Sequence, residues 1–330
     1  MSDATENRIL FAGQDDCRIE PFTVPAVLQP TQVLVRNEAS LVSAGTELAV
    51  LRRRHRAFAS GGAAALQFKY PFYPGYAAVG RIEAIGREVT GFAIGDRVWH
   101  PSAHATVSTP EANLCLPVPD GIEPRDAVFF SLVQIAMTAV RRAPTELGQT
   151  VLVSGLGLVG ILVGQLYRIS GASVIAADLS KGRLRRGTSL GFAPVIDLGE
   201  TSLVHWFAAN PASAPDVSIE AAGIESNIDA CLKVTRAGGR VVLQGSPRNT
   251  MEIDPYTDIH KKGLTIIGAH DSTVSPQVRQ RDVPYLFGLC GGALHLSEIR
   301  THELPYTEAP VLYDRLEDSL DEYLAVVLTY

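Results

Sequence analysis

The chain has 330 residues, 46% hydrophobic and 19% charged, and 29 lysines and arginines against 35 aspartates and glutamates leave a formal charge of −6. At roughly 150 residues per domain, that length provides for two domains with separate cores. The mildly acidic balance excludes a general nucleic-acid binder, whose domain is normally basic, and the dispersed prolines and glycines exclude a fibrous repeat.

The opening residues MSDATENRIL are polar and acidic, without the basic and apolar regions of a signal peptide. Cys17, Cys115, Cys231 and Cys290 lie far apart with no C-x-x-C pair, so free thiols in a reducing cytoplasm are expected. Residues 33–35 and 79–85 read as strands, and Gly95-Asp96 is a tight turn entering another at 97–99. The small-residue stretch 60–66 (SGGAAAL) is expected to be a mobile loop. From about Asp126 strands and helices alternate. Strands are expected at 151–153, 174–177, 217–221, 240–243 and 264–267, with helices at 158–169 and 180–190. Such alternation predicts an α/β fold with a parallel, doubly wound sheet. The apolar run 151–167 nears membrane-spanning length, but Gly155, Gly157, Gly160 and Gly164 interrupt it, and a strand–turn–helix accounts for them without a membrane.

That segment, VLVSGLGLVG, is the strongest local signal: a strand running into G-x-G-x-x-G and then a helix. Gly155 permits a tight turn, Gly157 lets the backbone approach a pyrophosphate, and Gly160 lets helix and sheet pack closely. The helix start at Leu158 and Val159 offers unpaired N–H groups to phosphate. Asp178 ends the next strand 18 residues after Gly160, where a carboxylate can accept from ribose hydroxyls but would repel a 2′-phosphate. The expected cofactor is therefore NAD. Lys181, Arg183, Arg185 and Arg186 follow, a solvated helix face with Arg183 nearest the expected adenosine site.

Taken with Ala44-Gly45-Thr46-Glu47, Pro74-Gly75, Val79-Gly80, Gly95-Asp96-Arg97-Val98, Glu220-Ala-Ala-Gly223 and residues 264–268, the chain resembles the medium-chain dehydrogenase/reductase superfamily over nearly its whole length. The likeness is nearest to the polyol dehydrogenase branch. It implies a GroES-like, β-rich substrate domain at 1–130, a Rossmann nucleotide domain at 131–270, and a return to the first domain at 271–330. The resemblance also places Ala222, Gly223, Gly245 and Ala269 along the cofactor.

The departures carry the mechanistic expectation. Zinc-dependent members have a cysteine where Ala44 stands, a histidine and glutamate where Tyr76 and Ala77 stand, and a cysteine or glutamate aligned with Ser131. The four-cysteine lobe of a structural zinc is missing. Zinc requires three or four N, S or O ligands, so neither a catalytic nor a structural metal is expected. A side chain must then serve as acid or base. The resemblance implies Thr46 as the relaying hydroxyl, Tyr76 in a vacated ligand position, and His270 beside the nicotinamide. The basic run Arg52, Arg53, Arg54, His55, Arg56 would suit an anionic substrate, and is otherwise a solvated face. Glu47, Arg53, His55, Lys69 and His100 are the candidate substrate contacts.

The leading expectation is a zinc-independent, NAD-linked oxidoreductase interconverting a secondary alcohol and a ketone. Within the superfamily the segments SAGTE, PGY and IGAH are similar to the group around 3-hydroxyethyl bacteriochlorophyllide a dehydrogenase, which also holds sugar- and cyclitol-modifying enzymes. Two alternatives stand beside it: an NAD(P)H-dependent enoyl or quinone reductase, and a non-catalytic nucleotide-binding sensor. A homodimer joined at the nucleotide-domain sheet edge is expected by fold analogy.

Overall fold

In a computed structural model of the chain, residues 5–60, 68–319 and 321–330 are described; nearly all of the stretch expected to be a mobile loop lies outside them. The chain divides into two compact units, Met1–Ser131 with Val283–Tyr330, and Leu132–Asp282.

In the first unit, Thr5–Gly13 and Asp16–Thr23 form an antiparallel hairpin. A seven-stranded sheet follows, with Arg300–Pro305, Ala325–Thr329, Val33–Leu41, Ala78–Ile85, Arg97–His100 and Leu116–Pro117 in spatial order. Val107–Ser108 pairs separately with Val33–Leu41. The strand expected at 33–35 thus runs on to Leu41, and seven of its nine residues are buried, which explains its weak alternation. One core joins Ile9 and Phe11 of the hairpin, Leu48 and Leu51 of the Ala44–Leu51 helix, and Leu312, Tyr313 and Val326 from the return segment. A second joins Val33, Val35, Ile82 and Val98.

The second unit holds six parallel strands. In spatial order they are Val195–Asp197, Ser173–Asp178, Thr150–Ser154, Val217–Glu220, Arg240–Leu243 and Thr265–Gly268, which in chain order reads 3-2-1-4-5-6. This is the doubly wound arrangement, whose ligand crevice opens beyond the carboxyl ends of strands 1 and 4. Val151, Val153, Ala176, Ala177, Val217 and Ile219 are all wholly buried, as a sheet covered on both faces requires. Leu158–Ile169 and Lys181–Ser189 match the expected helices to within a residue or so. The first unit has the GroES-like fold and the second the Rossmann fold, the α/β class expected.

The return to the first unit begins at 283 rather than at 271. Residues 271–282 stay with the nucleotide-type unit because Asp271 accepts from Gln134 at 3.3 Å and pairs with Arg279 at 2.7 Å, while Arg142 donates to Thr273 and Arg141 pairs with Asp282.

Gly80 faces Asn37 across adjacent strands, and a β-carbon there would lie 2.2 Å from the Arg36 carbonyl oxygen. Gly80→Ala is expected to cost about 1–3 kcal/mol of stability, whereas Gly13→Ala, with open space around it, should change it by less than about 0.5 kcal/mol. Urea unfolding of the two variants checks the contrast.

Candidate active site

The glycine turn is built as its sequence implies. Gly155 adopts φ +98°, and a β-carbon on it would stand 2.8 Å from the Ala222 amide nitrogen. A β-carbon on Gly160 would fall 1.9 Å from the Gly155 carbonyl oxygen. Around Gly157 there is open space, and as N-cap of the Leu158–Ile169 helix it leaves the first-turn amides without a capping side chain. Those amides, among them Leu158 and Val159, suit a phosphate.

Asp178 has a structural duty that the sequence did not show. It is 7% exposed; one carboxylate oxygen accepts from the Leu156 amide at 2.6 Å and the other from the Ser180 amide at 2.8 Å. Arg183 lies 3.8 Å from it. A carboxylate has about four acceptor sites, so capacity for ribose hydroxyls remains. The aspartate fixes the glycine turn. Ala222 is exposed, Gly223 (φ +72°) and Gly245 are half-buried, and Ala269 is buried at 1% exposure. His270 is exposed, and its Nδ1 accepts from the Ser272 amide at 3.2 Å. With that nitrogen accepting, the ring N–H resides on Nε2.

In the first unit, Tyr76 is half-buried and donates to Ser43 Oγ at 2.6 Å. Ser43 precedes the Ala44–Leu51 helix without capping it, so its hydroxyl serves Tyr76 instead. Sequence reasoning passed over Ser43 as part of a motif. Thr46 is half-buried on the first turn of the same helix.

Two expected substrate contacts are corrected. Glu47 is 1% exposed: Oε1 accepts from the Ser43 amide at 2.9 Å, Oε2 from Tyr313, and His104 Nε2 lies 3.3 Å away. His104 Nδ1 meets Ser40 Oγ at 2.7 Å, and Ser40 meets the Tyr330 hydroxyl at 2.7 Å. Burial first, and then the Glu47 carboxylate, push the Tyr313 phenol well above its ordinary value, so it stays a donor. Glu47 is the buried anchor of a polar network. His100 is likewise wholly buried, its Nε2 on Asn37 Oδ1 at 3.0 Å, and burial depresses its pKa to about 3. Neither residue can touch a substrate from there.

The basic run is partly neutralised within its own unit. Arg52 pairs with Asp15 at 2.9 Å and Glu317 at 3.0 Å, and Arg54 also pairs with Glu317. Exposed Arg53 lies over the Phe58 ring at 5.6 Å, and His55 stacks on Phe68 at 3.9 Å. Lys69 is exposed. Ser131 is 8% exposed, with a hydroxyl that has no hydrogen-bond partner among the described residues.

Two family models match successive parts of the chain: the alcohol dehydrogenase GroES-like domain over residues 29–145, and the zinc-binding dehydrogenase model over residues 159–284. A sorbitol dehydrogenase of Bombyx mori is 23% identical over 347 positions, spanning 94% of this chain and 95% of that one. A zinc-binding dehydrogenase of Sinorhizobium meliloti 1021 bound to NADP shares the fold with a TM-score of 0.85 at 19% identity, covering 99% of this chain and 100% of the other. A short chain alcohol dehydrogenase of Escherichia coli CFT073 complexed with NADH gives a TM-score of 0.84 at 18% identity over 99% of each.

His100 allows a direct check on burial. Its folded pKa lies below the unfolded value of about 6.5, so its contribution is complete above that pH and is lost as pH falls toward the folded value. Between pH 7.5 and 5 the wild type should lose about 2 kcal/mol more stability than His100→Gln, measured by urea unfolding at both values.

Proposed function

Because this chain belongs to the medium-chain, zinc-type alcohol dehydrogenase superfamily and is an enzyme of that class, we propose that it interconverts a secondary alcohol and a ketone with NAD and without zinc. The observation that carries the reading is the pairing of an open glycine turn with the strand-end carboxylate of Asp178.

The donor chemistry supports a metal-free site. Ala44 offers a methyl group where the first ligand would stand, Tyr76 a phenol engaged with Ser43, Ser131 a lone hydroxyl, and Ala77 no carboxylate beside them. Among the described residues no group of three or more His, Cys, Asp or Glu is placed to hold a metal ion. This set does not fit zinc, which needs three or four N, S or O ligands.

The glycine-turn residues do fit a dinucleotide. Gly157, Leu158 and Val159 would hold its pyrophosphate, and Asp178 with Arg183 its adenosine ribose; the bound nicotinamide supplies the hydride acceptor. Tyr76 then handles the proton. Its hydroxyl, held by Ser43, gives a proton to the developing alkoxide in the direction of ketone reduction and takes it back in alcohol oxidation. Thr46, on the helix turn beginning next to Ser43, is the second hydroxyl, and exposed His270, through Nε2–H, is a further donor. Exposed Arg53 and Lys69, with His55, remain the candidate substrate contacts, and the substrate class is a polyol or sugar alcohol, like that of the sorbitol dehydrogenase relative. Among the described residues no helix is long and apolar enough to cross a membrane. A cytoplasmic homodimer, paired along the outer strand Thr265–Gly268, completes the reading.

The test is a fluorescence titration of metal-analysed protein with NADH and NADPH. We expect tight NADH and weak NADPH binding with substoichiometric zinc. A preference for NADPH would overturn the role given to Asp178 and bring the enoyl-reductase reading forward; stoichiometric zinc would overturn the metal-free site. With a substrate polyol in hand, Tyr76→Phe should lower kcat by about 10²-fold or more while leaving NADH affinity unchanged.

A further inference from the structure

Glu220 closes the fourth strand of the parallel sheet and is 0% exposed. A carboxylate removed from water needs donors in its place. Oε1 collects four: the amides of Ala222 at 2.9 Å, Gly223 at 2.8 Å and Ile224 at 3.4 Å, and the Asn227 side-chain amide at 3.0 Å. The Glu220 carbonyl takes two more, from the amides of Gln244 at 2.9 Å and Gly245 at 2.8 Å. Asn227 extends the connection to the first strand, accepting from Ser154 Oγ at 2.5 Å and donating to the Ser154 carbonyl at 3.3 Å. The carboxyl ends of strands 1, 4 and 5 therefore meet at one residue.

No bulk separates them. A β-carbon on Gly245 would stand 2.2 Å from the Gly223 nitrogen and 2.7 Å from Glu220 Oε2. With its amides turned inward to Glu220, the 222–224 loop turns its side chains outward: Ala222 is exposed and Ile224 is 49% exposed. The loop thus presents an apolar surface with its donors already spent, the opposite of the open amides at Leu158 and Val159. It is unsuited to a phosphate and suited to a flat, largely apolar ring.

A doubly wound sheet takes a dinucleotide across its crevice, one nucleotide to each half. Asp178 marks the half containing strands 1–3 as the adenosine side. We propose that Glu220 is a positioning residue for the nicotinamide half of the cofactor. It touches no ligand; it fixes the height of the 222–224 loop against which that half rests. This inference rests on the dinucleotide reading given under Proposed function.

Calorimetric titration of NADH and of ADP, which lacks the nicotinamide half, separates the possibilities. For Glu220→Gln we expect the NADH Kd to rise about tenfold or more and the ADP Kd to change less than about twofold, as loss of a charge-assisted acceptor for several amides implies. Equal loosening of both ligands would assign Glu220 a general structural role and overturn the proposal, as would no change in either. If Glu220→Gln does not fold, Asn227→Ala, which removes only the side-chain tether, should show the same split with a smaller factor. A wild type that binds neither NADH nor ADP would overturn the dinucleotide reading itself, and this inference with it.

Discussion

The nucleotide-type unit depends on backbone meeting backbone where no β-carbon fits. Gly160 lies against the Gly155 carbonyl, Gly155 against the Ala222 amide, and Gly245 against the Gly223 amide. Such close approach leaves no side-chain volume to hold the loops in register, so their hydrogen bonds must do it. Two buried carboxylates supply the acceptors. Asp178 takes the Leu156 amide, and Glu220 takes those of residues 222–224. Amides left over at the start of the Leu158–Ile169 helix are then the ones available to an anion.

The GroES-like unit meets a related problem with a closed polar network. Glu47 is a buried acidic side chain on the helix that follows Ser43, and without partners there it would be strongly destabilising. Tyr313, the Ser43 amide and His104 surround it, and Ser40 and Tyr330 extend the chain of bonds. Fully satisfied, such a network rigidifies its surroundings. Its product is a fixed Ser43, and with it a fixed Tyr76 hydroxyl. Gly75 belongs to the same arrangement: it has φ +99°, and a β-carbon there would stand 2.8 Å from His104.

Charge followed the same rule. Arg52 and Arg54 belong to what looks in the sequence like an unopposed basic run, but Glu317 answers both and Asp15 answers one. Exposed ion pairs of this kind add little stability, about 0–1 kcal/mol each. Their effect is to reduce the positive field of the run, leaving Arg53 within it, and Lys69 outside it, as the exposed cations among the candidate contacts.

What the sequence by itself determined was whatever depends on neighbours a few residues away. Five of the six strands of the doubly wound sheet, its helices at 158–169 and 181–189, the glycine turn and the strand-end position of Asp178 are written in local periodicity and spacing, whereas the three-residue strand Val195–Asp197 is too short to show a period. That alanine, tyrosine and serine stand at 44, 76 and 131 was equally plain. The roles of Glu47 and His100 were not, since polarity near a motif resembles a substrate contact until the partners are in place. Those partners are Tyr313, 266 residues from Glu47, and Asn37, 63 residues from His100. Glu220 was visible in its motif, yet its duty arises only where three strand ends converge. Burial of a polar group is decided by distant segments that enclose it and supply its hydrogen bonds, and that information exists only in the tertiary fold.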